Sequence, residues 1–259
     1  MVLARIRARA ARNRARRRRL ALGLAITIVS VFNLVHWHDR GQASASSKPP
    51  VAIGDALTVQ RPSTDIDASA PLVPSVRISV SGCDGTRYGS GVVISGNRVL
   101  TARHVVASAQ RIIVETEDGR RHTTGPVLVD RAGRDAAIVS VPGISDSGAP
   151  RIQVSLAEPE RGDTVAITGH PDGGRLHVEF TSITTYTSQT PLAANRTRVM
   201  IVDDAFAEGM SGGPVTNSDG RVVGIAIGVE TNSKIGIVTP TSGLGELLAG
   251  NGDAFPPAC

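Results

Sequence analysis

Three short segments hold side chains whose types and spacing suit nucleophilic chemistry. Thr101-Ala102-Arg103-His104-Val105-Val106 sets an imidazole just after an apolar strand. Asp135-Ala136-Ala137-Ile138-Val139 opens another apolar strand with a carboxylate, which puts that carboxylate at a core edge. Glu208-Gly209-Met210-Ser211-Gly212-Gly213-Pro214-Val215 sets a hydroxyl among glycines. Glycines permit a tight turn and let backbone N–H groups come close to a bound group. A neutral serine is a poor nucleophile, so a base must accept its proton as it attacks, and an imidazole oriented by a carboxylate is such a base. Each fragment alone is weak: a lone His is usually structural, an Asp at a strand start is usually a turn former, and glycines around a Ser are usually a loop. In the order His, Asp, Ser, with separations of 31 and 76 residues, they form a specific signal.

The alternatives are few. Asp130 lies five residues before Asp135, but the apolar strand starts directly after Asp135. His122 sits beside Arg120 and Arg121 in a polar stretch and reads as exposed, and His177 has no supporting motif.

These residues must be positioned by a β framework. The chain has 259 residues, 41% hydrophobic and 3% aromatic, with 28 Gly and 15 Pro. That apolar content excludes a disordered chain, and the Gly and Pro exclude a long coiled coil. Two cysteines are too few for a disulfide-built miniprotein and supply no CxxC zinc site, so no metal site is expected. From Val73 onward, short runs rich in Val, Ile and Thr alternate with turn residues. Residues 91–95 and 98–101 flank Gly96-Asn97, a two-residue hairpin signal. Residues 112–116 followed by Asp118-Gly119 predict a second hairpin. Further strands are expected at 127–129, 136–141, 164–168, 178–184 and 199–202, and a last hairpin at 213–216 and 221–227 around Ser218-Asp219-Gly220. A helical turn at most is expected near Ser108–Arg111, and one soluble helix at Leu244–Leu248. About a dozen strands in this length fit two six-stranded barrels better than one sheet, since closure removes exposed edges. A break near Pro150–Glu160 would divide them, giving barrel 1 at about 73–155 and barrel 2 at about 156–259.

The basic balance belongs to the N-terminus. Residues 1–40 hold ten Arg against one Asp, whereas residues 41–259 hold 18 Lys and Arg against 22 Asp and Glu. The main domain therefore lacks the electrostatic signature of nucleic-acid binding. Residues 1–19 read as a basic cytoplasmic tail, and residues 20–37 as one transmembrane helix, a signal anchor. That run spans about 27 Å at about 1.5 Å per residue, enough for a thin hydrocarbon core. Arg on its N-terminal flank puts everything after Trp37 outside the cytoplasm. A cleavable signal peptide ending near Ala43-Ser44-Ala45, and a twin-arginine signal at Arg18-Arg19, are the rival readings. Each puts the main domain outside the cytoplasm. Residues 38–72, rich in Ser, Pro, Ala and Asp, read as a flexible linker to the domain at 73–259.

From about Ser90 to Leu248 the motifs closely resemble those of chymotrypsin-fold (trypsin-like) serine proteases, most of all the bacterial HtrA/Deg-type branch and membrane-anchored actinobacterial periplasmic proteases. Thr168-Gly169-His170-Pro171-Asp172-Gly173-Gly174 resembles the branch's G-[YN]-P-x-G-G loop, with His170 where that loop has Tyr or Asn. Ser218-Asp219-Gly220-Arg221-Val222-Val223-Gly224-Ile225 resembles its D-G-x-V-x-G-I hairpin, and Ile235-Gly236-Ile237-Val238-Thr239-Pro240 its late strand. The resemblance implies an all-β fold of two orthogonal six-stranded barrels with the triad between them. Ser211 would be the nucleophile, His104 the base and then the acid, Asp135 the orienting carboxylate, and the N–H groups of Gly209 and Ser211 the oxyanion hole. It implies protein or peptide substrates and no cofactor. Met210 stands where animal enzymes carry an Asp that forms an ion pair after zymogen cleavage; the HtrA/Deg branch also lacks that Asp. The resemblance puts Ala205 at the base of the S1 pocket and Ile227, Gly228 and Val229 along the edge that pairs with substrate, which predicts a small or medium apolar P1 residue. The chain ends at Cys259 with no PDZ domain expected. Related actinobacterial proteases join the two ends of the domain by a disulfide, which would pair Cys83 with Cys259 here; two free thiols, or a bond between molecules through Cys259, are the alternatives. A catalytically silent, peptide-binding domain and an esterase are the competing functional classes.

Overall fold

The computed structural model describes residues 74–82, 85–189, 197–230 and 233–255. The expected anchor at 20–37, the linker and both cysteines lie outside the described residues. No helix among the described residues is long and apolar enough to cross a membrane.

The first half opens with β1 (Val76–Gly82), β2 (Gly85–Val93) and β3 (Arg98–Thr101). Strands β2 and β3 form the hairpin expected around Gly96-Asn97. Gly96 (φ 63) and Asn97 (φ 57) both lie in the left-handed region, but Val93 faces Val99 and Ile94 N–H bonds Arg98 C=O at 2.9 Å, so the turn holds three residues, 95–97, rather than the expected two. One helical turn, α1 (Arg103–Val106), follows β3 directly. It lies before the place expected for a helical turn, because Ala109–Arg111 is already strand: β4 spans Ala109–Glu115 and pairs with β1. Strands β5 (Arg121–Thr123), β6 (Val127–Val129) and β7 (Ala137–Ser140) complete this half.

The second half contains β8 (Thr164–Gly169), β9 (His177–Thr187), β10 (Val199–Val202), β11 (Pro214–Thr216), β12 (Val222–Glu230) and β13 (Ile235–Pro240). They close into a six-stranded barrel in the order β10-β13-β12-β11-β8-β9. The chain then forms α2 (Gly245–Leu248), where a helix was expected, and a two-residue strand β14 (Asp253–Ala254). Strand β14 returns to pair with β6 of the first half.

That return changes the first half from the expected closed barrel. Its sheet has eight strands in the order β14-β6-β7-β3-β2-β1-β4-β5, and is open. Gly125-Pro126 separates β5 from β6, and Pro126 has no N–H to offer a neighbouring strand. Gly125 N–H and Pro126 C=O instead bond Ser140 at 2.8 and 3.0 Å, which turns the chain toward β7. The two strands at the ends of the sheet are only three and two residues long, which limits the unpaired edge each exposes.

Two apolar cores support this arrangement. One lies inside the barrel and includes Ile167, Ile183, Met200, Phe206, Met210 and Val238. The other fills the first half with Ile78, Val92, Leu100, Val106 and Ile138, and is extended by Val222, Ile225, Leu244 and Leu247 from the second. The alternating burial along β1 is the mark of a strand with one face in the core.

Tyr186 on β9 is half-buried, and its hydroxyl donates to Pro159 C=O at 2.8 Å. Burial, reinforced by the nearby Glu158 carboxylate, pushes its phenol up to about 12, although the Arg198 guanidinium over its ring acts the other way. A phenol that keeps its proton longer when folded stabilises the fold below pH 10, and that stabilisation is lost as pH rises toward 12. Absorbance at 295 nm should therefore show one tyrosine ionising near pH 12, and Tyr186→Phe should remove that step.

Candidate active site

The site is assembled from loops at the junction of sheet and barrel. His104 sits on the single turn α1, just after β3 has delivered the chain from the first core. Its Nδ1 lies 2.6 Å from Asp135 Oδ2, and its backbone N–H donates to Asp135 Oδ1 at 2.9 Å. One carboxylate thus holds both the ring and the main chain of the same residue, so the imidazole cannot swivel without breaking the pair. A carboxylate at Nδ1 selects the tautomer with the proton on that nitrogen and leaves Nε2 as a lone-pair acceptor. The His104 side chain is 45% exposed and that of Asp135 only 19%.

Asp130 has a different role. Its side chain is buried, accepts Arg134 N–H at 3.1 Å and pairs with the Arg134 guanidinium at 3.3 Å. It therefore fixes the turn that presents Asp135 and is not available to His104. The other histidines are elsewhere. His122 lies on the end strand β5, and His177 at the start of β9 is 3.1 Å from Glu179. His170 is buried, with Nδ1 and Nε2 each 3.1 Å from a carbonyl oxygen, those of Gly174 and Ser75. It braces the loop that follows β8.

The Ser211 loop packs closely against β2 and the residues just before α1. Gly212 has φ +84, and a Cβ there would fall 2.2 Å from both Ser90 O and Thr101 Oγ1, and 3.0 Å from Ala102 N. Only glycine allows this turn to press against the two residues that precede α1. A Cβ on Gly89 would likewise meet Val105 Cγ1 at 2.5 Å and Ser211 O at 3.2 Å. Thr101 and Ala102, before His104, thus lie against Gly212, and Val105, after it, lies against Gly89. Among the described residues Ser211 Oγ makes no hydrogen bond, to His104 or to any other group. Such bonds commonly tighten only when substrate is bound.

The peptide planes around Ser211 are individually fixed. Glu208 C=O accepts Asp172 N–H at 3.0 Å, and Gly209 C=O accepts the Ser90 hydroxyl at 2.7 Å. Met210 C=O accepts Gly213 N–H at 2.9 Å, and Ser211 C=O accepts Ser90 N–H at 2.8 Å. Met210 N–H bonds Ala207 C=O at 3.2 Å and Gly212 N–H bonds Ala226 C=O at 2.7 Å. The N–H groups of Gly209 and Ser211 have no acceptor among the described residues. A trans peptide points its N–H opposite its C=O, so anchoring the carbonyls aims these two free donors. Met210 itself is buried in the barrel core, against Gly169. Apolar packing fixes the loop at the position where an ion pair was noted as missing.

The expected specificity residues divide. Ala205 is exposed, and Phe206 beside it is buried with its ring next to Gly236. On β12 the pairing with β13 shifts between Ala226 and Gly228, leaving Ile227 as a bulge. Strand β11 ends its pairing with β12 at Ile225, so the opposite edge of Gly228 and Val229 has no strand partner among the described residues. The two cavities of about 400 and 370 Å³ lie in the first half, away from Ser211.

With this geometry in view, similarity to known proteins is decisive. Residues 89–225, just over half of the chain, match the trypsin-like peptidase domain family. The chain belongs to that family of serine proteases. It is 30% identical over 189 residues to "Serine protease Rv3671c" of Mycobacterium tuberculosis, covering 69% of this chain and 45% of that protein. It is 31% identical over 147 residues to a "Probable periplasmic serine endoprotease DegP-like" of Ectopseudomonas mendocina, covering 56% of this chain and 30% of that protein. The chain thus spans less than half the length of these curated relatives. In fold it is similar to the active form of the Rv3671c protease from M. tuberculosis, with a TM-score of 0.63 at 24% identity over 84% of this chain and 96% of that one.

The sequence missed Ser90, which is wholly buried on β2 and bonded to three parts of the site. A buried small polar residue between two glycines carries no signal of its own. If the turn at Gly212 is as tight as its contacts require, Gly212→Ala should cost more than ~2 kcal/mol in chemical denaturation, through both the left-handed backbone and the clash with Ser90.

Proposed function

We propose that this protein is a serine endopeptidase acting outside the cytoplasm through His104, Asp135 and Ser211. The observation that carries the reading is the combination of a carboxylate-held imidazole with a neighbouring serine loop that has two unpartnered N–H groups. Ser211 Oγ attacks the substrate carbonyl while His104 Nε2 takes its proton. Asp135 Oδ2 accepts the Nδ1 proton and offsets the charge on the imidazolium. The oxyanion is met by the N–H groups of Gly209 and Ser211, each such donor typically worth ~3 kcal/mol to the transition state. His104 then returns the proton to the leaving amine, and water repeats the sequence on the acyl-enzyme. No metal or organic cofactor enters any step.

The unpaired edge at Gly228 and Val229 suits a substrate main chain laid alongside it as an added strand. The family resemblance puts the uncharged Ala205 at the base of the side-chain pocket, which favours small or medium apolar P1 residues over Lys and Arg. The arginine-flanked apolar run at 20–37 supports attachment to the cytoplasmic membrane with the protease domain on the outer side.

A fluorophosphonate probe should label the wild type and fail to label Ser211→Ala, and a peptide library should show cleavage after Ala, Val or Leu. Labelling of neither protein would favour a silent peptide-binding domain, and strong cleavage after Arg or Lys would refute the pocket assignment. The full chain expressed in bacteria should sediment with carbonate-washed membranes, whereas a chain starting at residue 38 should not. Full-length protein released into the soluble periplasmic or culture fraction would defeat the anchor.

A further inference from the structure

We infer that Ser90 is a positioning residue for the oxyanion hole, resting on the reading of Gly209 and Ser211 as its donors. Ser90 belongs to the first-half strand β2, where it pairs with Arg77 of β1. Its polar atoms nevertheless reach into the second half. Its N–H donates to Ser211 C=O at 2.8 Å. Its hydroxyl donates to Gly209 C=O at 2.7 Å and accepts His170 N–H at 2.9 Å. Its C=O accepts the Thr101 hydroxyl at 2.7 Å, three residues before His104. The direction of each hydroxyl bond is forced, because a carbonyl can only accept and an amide N–H can only donate.

The consequence follows from which peptides are held. Four carbonyls, those of residues 208 to 211, are anchored, and Ser90 supplies two of the four anchors. The Gly209 carbonyl belongs to the peptide that lies between the two free N–H groups. If the Ser90 hydroxyl were absent, that peptide would keep only the longer 3.2 Å bond from Met210 N–H to Ala207 and could turn about ψ of Gly209 and φ of Met210. Gly209 is the residue that permits such rotation, having no Cβ. The same hydroxyl also fixes the His170 main chain, two residues before the Asp172 N–H that anchors Glu208 C=O. One buried side chain therefore sets the planes on both sides of Gly209. Its complete burial keeps water from replacing the hydroxyl.

The test separates positioning from packing. In Ser90→Ala, kcat for a peptide ester should fall about 10- to 100-fold, less than deleting a donor outright, because the donor remains but is no longer held in place. KM should change less than threefold. A peptide boronate, whose tetrahedral adduct needs the oxyanion donors, should lose affinity by the same factor as kcat/KM. Ser90→Thr, which restores a hydroxyl, should recover part of kcat. If Ser90→Ala does not fold, Ser90→Cys, close in volume but a weak donor, should show the same kcat-selective loss. Wild-type kcat in Ser90→Ala, or in Ser90→Cys where Ala does not fold, would overturn the inference. So would a loss carried by KM, or a Thr variant no better than Ala. A wild type that neither hydrolyses substrate nor reacts with fluorophosphonate would instead remove the triad reading on which the inference rests.

Discussion

The site depends on a loop of four peptide groups whose carbonyls are all tied down while two of its amides are left without partners. Buried or half-buried N–H groups without acceptors are uncommon in folded proteins, because each forfeits a bond it had with water. Here the neighbouring bonds maintain the deficit. Asp172 from the turn after β8, Ser90 from β2, and Gly213 from within the loop itself each donate to a carbonyl of the loop. Relaxing Gly209 or Ser211 toward a partner would break one of those bonds, so the unsatisfied amides are held in place by satisfied carbonyls. Free donors held in this way need no reorganisation when negative charge appears nearby, which is the source of electrostatic catalysis.

This constraint explains why both halves of the domain are needed. The barrel alone carries Ser211, Gly209 and Asp172, but the hydroxyl and amide of Ser90 come from the open sheet. The sheet alone carries His104 and Asp135, but Gly212 must pack against Thr101 and Ala102 to bring the serine alongside. The apolar cluster that joins Val222, Ile225 and Leu247 to the first core holds these contacts at fixed distance. Strand β14 adds a further tie, since the chain leaves the barrel and returns to β6. The Phe255 ring after it lies 5.4 Å from the Arg103 guanidinium, next to His104 in sequence.

Much of this was legible in the residues, and the limits have physical causes. The turn at Gly96-Asn97 could be read because only certain residues accept left-handed backbone, and β6 and β10 could be read because short Val- and Ile-rich runs have few other stable forms. The His104–Asp135 pair was legible because an imidazole after one strand and a carboxylate before the next are side chains that can pair. The open first sheet was not, since closure depends on how Gly125-Pro126 directs the chain and on where a two-residue strand near the C-terminus docks. The turn α1 was hidden for a similar reason: Val105 and Val106 favour strands, and tertiary packing of both against the core overrides that preference. Ser90 was invisible because its hydroxyl acts on partners about 80 to 120 residues away.

Met210 shows how the same loop is held without a buried ion pair. A buried charge is stable only when its partner arrives with good geometry, so a loop built on one remains unformed until that partner is present. A buried methionine needs no charged partner. Its flexible thioether fills the space beside Gly169 and Phe206, and it is held from the moment the barrel core forms. Met210 thus ties the loop to the barrel core without a charged partner.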